Sequence, residues 1–258
     1  MTALSCNPVI HTGSNSQPKS VAVIPARYNS TRLPGKPLLP IAGRPLIVWV
    51  AERTAEASSI SRVVIATDDA RIADAATTAG FEAVITRADH ASGTDRIAEV
   101  ASTLDAEIIV NVQGDEPLID TASVDRVIEV LQTTDADIAT LASPLESDDE
   151  LASRDVVKVV IALNGDALYF SRAPLVGAQR HIGLYGYQSA VLRRLASLPP
   201  SPLERAESLE QLRALENGVR IKVVMTGSGS PGVDTLENVR VIERLLVSTG
   251  KRFPKSRR

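Results

Sequence analysis

Cysteine is nearly absent: Cys6 is the only one in 258 residues, which rules out an internal disulfide and a cysteine-rich zinc site and suits a reducing cytoplasm. Aromatic side chains make up only 3% of the chain, and no basic face is interleaved with them, so a nucleic-acid-binding role is not expected. A dominant charge is missing too. The 28 Lys and Arg against 31 Asp and Glu leave a formal charge of -3, so the overall balance favours neither a polyanion nor an anionic membrane as partner. No apolar run reaches the length of a membrane span, and the N-terminus lacks the charged-then-apolar order of a secretory signal. A cytoplasmic protein with no membrane partner is the expectation.

What is present has an α/β rhythm. Strand-like runs over 21–25, 62–67, 82–85, 107–112 and 137–141 alternate with helical patterns over 45–57, 69–79, 94–103 and 123–132, as in a mostly parallel sheet covered on both faces. Around residue 155 the rhythm changes. Runs over 156–161, 168–171 and 182–187 leave little room for helices, so 155–200 is expected to form a small antiparallel lobe. Ser201, Pro202 and Glu204 then open a helix read as 202–216, followed by a strand over 221–225 and a last helix over 236–247. Residues 1–19 read as a flexible leader, 20–250 as one domain and 251–258 as a basic tail.

The stretch VIPARYNSTRLPGKPLLP follows the first strand and crowds Arg27, Arg32 and Lys36 into one loop. Three cations so placed repel one another unless an anion sits among them. Gly35-Lys36 lacks the upstream glycine and the following Ser or Thr of a Walker loop, and the GxGxxG match at 227–232 has no βαβ unit around it, so neither is read as a known phosphate fingerprint. A second run, IIVNVQGDEPLI, delivers Asp115 beyond the end of a strand, where open α/β sheets place their ligand crevice. Asp234 follows another strand and precedes a helix that its carboxylate could simply cap. Two carboxylates opposite three cations make a coherent site for phosphate and Mg²⁺.

These residues carry a family resemblance. Residues 24–38 (IPARYNSTRLPGKPL) closely resemble the N-terminal signature of the 3-deoxy-manno-octulosonate (Kdo) cytidylyltransferases, and TRADHASGTDR, NVQGDEP, ALYFSR, HIGLYGY, PLE with LEQLR, and GVDT continue it in order. The resemblance implies a doubly wound, mostly parallel, Rossmann-like nucleotide-diphospho-sugar transferase fold with a small antiparallel excursion. It implies CTP as donor, Kdo as acceptor, Mg²⁺ as metal and a homodimer. Position by position, Arg27, Arg32 and Lys36 correspond to a triphosphate cradle, Asp115 and Asp234 to metal ligands, and Arg27, Lys36 and Asp115 to the catalytic set. Arg87, Ser92 and Gly93 fall near the cytosine. Gln113, Arg172, His181, Tyr185, Glu210 and Gln211 correspond to the sugar pocket.

Plainer readings stand beside these. His90 has no assigned role, and His181 could be a satisfied structural histidine. Tyr185 lies an even number of residues from His181, so the two can share a strand face. Glu207, Glu210 and Gln211 would share one face of the 202–216 helix, opposite Leu209 and Leu212. Only eight residues separate Arg172 from His181, shorter than the family pattern, which motivates amino-Kdo or a sialic-type acid as alternative acceptor. A CTP-binding sensor without catalysis is the alternative from another class.

Overall fold

The first strand shows how the sheet is covered. In β1 (Ser20–Ala26) Val21 and Val23 turn to one face while Ala22, Ile24 and Ala26 turn to the other, and both sets are buried in separate apolar clusters. A strand buried on both faces belongs in the middle of a sheet with helices on either side. The computed structural model describes residues 19–29, 33–90, 92–227 and 229–248. Arg32, most of the leader and the whole basic tail lie outside the described residues.

The order continues with β2 (Pro40–Ile41), β3 (Arg44–Pro45), α1 (Leu46–Ala55), β4 (Arg62–Thr67), α2 (Ala70–Thr78), β5 (Glu82–Ile85), α3 (Gly93–Ala101) and β6 (Ile108–Asn111). Next come α4 (Thr121–Thr133), β7 (Ile138–Ser143), α5 (Asp148–Ala152), β8 (Lys158–Ile161), β9 (Ala167–Ser171), β10 (Gln179–Gln188) and α6 (Ser189–Ala196). The described chain closes with α7 (Pro202–Glu207), α8 (Gln211–Glu216), β11 (Ile221–Met225) and α9 (Leu236–Ser248).

The main sheet runs β11-β7-β10-β6-β1-β4-β5, with β8 and β9 added beside β10. Every pairing along that path is parallel except the two made by β10, which is antiparallel to both β6 and β7. One face packs on α1, α2, α4 and α9 through side chains such as Ile47, Ile72, Val127 and Ile242. The other packs on α3, α6 and α8 through Ile97, Leu192 and Leu212. This is the doubly wound, mostly parallel architecture the alternation predicts, with an antiparallel excursion at β8, β9 and β10.

Helix starts follow local chemistry. Asp69, Ser92 and Asp120 accept from backbone N–H groups in the first turns of α2, α3 and α4. Ser201 and Glu204 form a reciprocal capping box on α7. The helix expected over 202–216 is in fact two. Ser208 takes a left-handed conformation (φ 55, ψ 47), which ends α7, and the chain restarts as α8 at Gln211. Glu207, Glu210 and Gln211 therefore do not share one helical face.

Candidate functional site

Because β11, β7, β6, β1, β4 and β5 run the same way, the loops after β1, β5, β6 and β11 open on one edge of the sheet. The reversed strand β10 starts at that edge, since His181 pairs with Ala142 near the end of β7. Ligands of open α/β sheets bind at such an edge.

The loop after β1 folds back on itself. Gly35 N–H donates to the Tyr28 carbonyl at 2.8 Å, and the Arg71 guanidinium of α2 lies 3.5 Å from the Tyr28 ring centroid. This turn carries Lys36 inward, and its ammonium reaches Asp115 Oδ2 at 2.6 Å and Asp234 Oδ1 at 3.2 Å. Three segments far apart in sequence thus converge on one point.

Asp115 is held by close backbone packing. A Cβ on Gly114 would stand 2.8 Å from the Pro25 carbonyl oxygen, so only glycine lets the turn after β6 lie against the end of β1. Val233 N–H donates to the Asp115 carbonyl at 2.9 Å, and Ser230 donates to the Glu116 carboxylate at 2.9 Å, docking the loop before α9 onto the same turn. Burial pushes the Glu116 carboxyl up to about 7; the Ser230 bond opposes this and the Asp115 charge adds to it. Asp234 does not cap α9. Thr235 Oγ1 accepts from Asn238 N–H, and Asn238 Oδ1 accepts from the N–H groups of Asp234 and Thr235, which leaves the Asp234 carboxylate to face Lys36.

Arg27, Asn29, Lys36, Gln113 and Asp115 line an open cavity of about 310 Å³. Arg27 Nη2 is buried without a hydrogen-bond partner among the described residues, an uncommon state for a guanidinium nitrogen that an anion would relieve. No three His, Cys, Asp or Glu side chains converge among the described residues. Asp115 and Asp234 around one cation are nevertheless the donor set that suits Mg²⁺ completed by phosphate oxygens and water.

Beside this lies a cavity of about 230 Å³ lined by Asn111, Gln113, Tyr185, Tyr187, Glu210 and Gln211, among others. A second one of about 260 Å³, lined by Arg180, His181 and Gly183, shares Tyr185, Leu209 and Gln211 with it. Of the six residues predicted for the sugar pocket, five line these two cavities. Arg172 does not: its Nε donates to the Glu207 carbonyl and its Nη1 to the Arg154 carbonyl. Gln113 Nε2 donates to the Gly183 carbonyl at 3.2 Å.

His181 packs edge-on against Phe170, with Tyr185 tilted beside it at 5.4 Å and Tyr187 stacked beyond at 5.8 Å. Burial pushes the His181 imidazole down to about 3, so it is neutral at physiological pH. Thr140 Oγ1 donates to the Leu184 carbonyl at 2.8 Å and lies 3.0 Å from His181 Nε2. That assigns the ring proton to Nε2 and leaves Nδ1 as an acceptor. Burial also raises both the Tyr185 and Tyr187 phenols, which stay protonated donors.

Arg87 and Ser92 sit on the loop after β5, and Gly93 is the first residue of α3. Ser92 caps α3, Gly93 faces the Pro25 ring, and the Arg87 side chain is largely exposed. Tyr187, Asn111 and Glu116 join the site although the sequence motifs assign them no role. Tyr187 and Asn111 each lie two residues from a chosen neighbour, Tyr185 and Gln113, so the period-two rule would have found them.

The sequence model of the family described as Cytidylyltransferase matches residues 21–221. A 3-deoxy-manno-octulosonate cytidylyltransferase of Syntrophotalea carbinolica is 51% identical over 240 residues, covering 86% of this chain and 96% of the relative. One from Myxococcus xanthus is 50% identical over 242 residues, covering 90% and 98%. The structure of a CMP:2-keto-3-deoxy-manno-octonic acid synthetase complexed with CTP superposes with a TM-score of 0.85 at 41% identity, covering 90% of this chain and 99% of that one.

Proposed function

The chain belongs to the cytidylyltransferase family, and on that premise we propose that it couples CTP to Kdo, giving CMP-Kdo and pyrophosphate and so activating Kdo for lipopolysaccharide biosynthesis. The observation that carries this reading is the convergence of Lys36, Asp115 and Asp234 in the site of Arg27, whose Nη2 has no partner among the described residues. An ammonium between two carboxylates marks a place where a cation is wanted, and an orphaned guanidinium nitrogen next to it marks a place for an anion.

In the reaction the anomeric hydroxyl oxygen of Kdo attacks the α-phosphorus of CTP in line. The bond from that phosphorus to the bridging oxygen breaks, pyrophosphate leaves with the electron pair, and the hydroxyl proton passes to solvent. Such transfers need positioning and charge neutralisation more than covalent help. Arg27 and Lys36 offset charge on the α-phosphate and the leaving group, Lys36 exchanging its carboxylate partners for phosphate oxygens as CTP arrives. Mg²⁺, held by Asp115 and Asp234, would supply Lewis-acid neutralisation of the phosphates. Arg87, Ser92 and Gly93 contact the cytosine. Gln113, Tyr185, Glu210, Gln211 and the neutral His181 orient the acid sugar, with His181 Nδ1 accepting from a sugar hydroxyl.

The protein works in the cytoplasm, which its single cysteine suits. No helix among the described residues is long and apolar enough to cross a membrane. It pairs as a homodimer. Supporting this, Leu163 and Val176 are fully exposed and Leu168 is 61% exposed, all on the antiparallel excursion.

Pyrophosphate release from CTP and Mg²⁺ tests the reading, run with Kdo beside amino-Kdo, sialic acid and no sugar. Release that depends on Kdo is expected. Release with another acid alone would move the acceptor, and CTP binding without release in any arm would make the chain a sensor.

A further inference from the structure

His90 and Glu99 have no part in the reaction as described, yet they are closely paired. The His90 side chain is 4% exposed, and its Nε2 is bonded to Glu99 Oε2 on α3. The same carboxylate lies 3.4 Å from the Arg87 backbone N–H through each of its oxygens and 3.5 Å from Arg87 Nε. Glu99 therefore grips the start of the 87–90 turn at Arg87 and its end at His90. One helical turn earlier on α3, the fully buried Arg96 donates from Nη1 to Thr86 Oγ1 and from Nη2 to Asp68 Oδ2. Ser92 completes the attachment by accepting from Asp95 N–H. Thr86, Arg87, His90 and Ser92 are thus each tied to the helix that follows them, with two of the anchoring residues, Arg96 and Glu99, at i and i+3 on one face.

A proton-carrying role does not fit His90. It borders the cavity that holds Arg87 and Ser92 and is not among the residues lining the cavity of Lys36 and Asp115. We propose that Glu99 and His90 are positioning residues for nucleobase recognition: they lock the 87–90 turn so that Arg87, Ser92 and Gly93 meet one base rather than another. This rests on the assignment of that loop to the cytosine. Burial alone would raise the Glu99 carboxyl, yet the His90 bond and Arg87 hold it below its ordinary range, so the brace carries a charge at working pH.

The test compares CTP with UTP as donor in Glu99→Gln, His90→Phe, His90→Asn and His90→Gln. Losing the brace should raise KM for CTP by about tenfold, the worth of one charge-assisted hydrogen bond. It should also narrow the CTP-over-UTP preference by a similar factor, with kcat at saturating CTP and KM for Kdo nearly unchanged. His90→Gln, whose Nε2 can still donate to Glu99, should behave as wild type, whereas the shorter His90→Asn should not. A purely structural role would instead lower the folded fraction without touching base preference. Hydrogen exchange of residues 86–93 in the wild type, with and without CTP, separates the two layers. If CTP protects the loop but no variant changes the CTP-to-UTP ratio, the brace proposal is overturned. If CTP gives no protection, the loop assignment itself fails and takes the proposal with it.

Discussion

At the scale of single residues, the site is a problem of charge. Lys36 keeps one carboxylate when either is neutralised, so Asp115→Asn and Asp234→Asn should each cut kcat/KM by at least about 10²-fold while leaving Tm within a few degrees. Near-wild-type turnover of either at saturating Mg²⁺ would sink the metal assignment. Gly114→Ala attacks the same site through packing. Its Cβ would press on a backbone oxygen that cannot swing aside, so a stability loss of about 1–3 kcal/mol should accompany a loss of kcat as Asp115 is displaced. His181 gives a pH signature. Its folded pKa of about 3 lies below the unfolded value near 6.5, so the unfolded chain takes up a proton first and stability is lost as pH falls through that window. The contribution is about 1.4 kcal/mol per pH unit well below 6.5. Glu116, raised from 4.5 to about 7, has the opposite sign: the folded state holds the extra proton, and stability falls as pH rises between those values. The wild-type curve alone would hide both. Urea titrations of wild type and His181→Gln should show the difference between them shifting toward the variant by about 1.2 kcal/mol from pH 6 to pH 5; a constant difference would mean the ring titrates normally.

At the scale of elements, the break between α7 and α8 decides where Glu210 points. Ser208 is a non-glycine residue in left-handed conformation, so Ser208→Gly should stabilise the protein by up to about 1 kcal/mol in denaturant titration. Ser201→Ala, which removes the capping box, should cost about 1 kcal/mol by the same measurement. The contrast shows what a sequence displays. Ser201, Pro202 and Glu204 announce a helix start because capping is local chemistry, and the runs at 62–67, 82–85 and 221–225 match β4, β5 and β11 to the residue because short β-branched, mostly apolar runs between helical patterns are a local signal. Ser208 announces nothing, since a serine in left-handed conformation is imposed by its surroundings. The pairing of Lys36 with Asp115 and Asp234 could be anticipated because each follows a strand at one sheet edge. The departure of Arg172 toward Glu207 could not, because it depends on partners 35 and 18 residues away, the backbone carbonyls that hold its guanidinium. The brace on His90 escaped for the same reason, although Glu99 lies only nine residues on.

At the scale of the whole molecule, the antiparallel excursion carries the most exposed large apolar side chains, Leu163 and Val176. If these meet a second copy, Leu163→Lys combined with Val176→Lys should shift sedimentation from dimer to monomer while CTP binding persists; an unchanged dimer would place the contact elsewhere. The alternation of strands and helices gave the parallel sheet in advance, but the seat of β10 between β6 and β7 follows from long-range pairing that no local pattern encodes. That seat divides the labour between the two substrates. The groups assigned to the nucleotide leave the ends of forward-running strands, whereas His181 and Tyr185 lie on the reversed strand, which is entered from β9 by a loop that passes beyond β8. Such a connecting loop can gain or lose residues without shifting the register of the parallel strands. Descendants of such a chain could therefore change the acid they accept by remodelling one loop, while their cytidylyl chemistry is inherited intact.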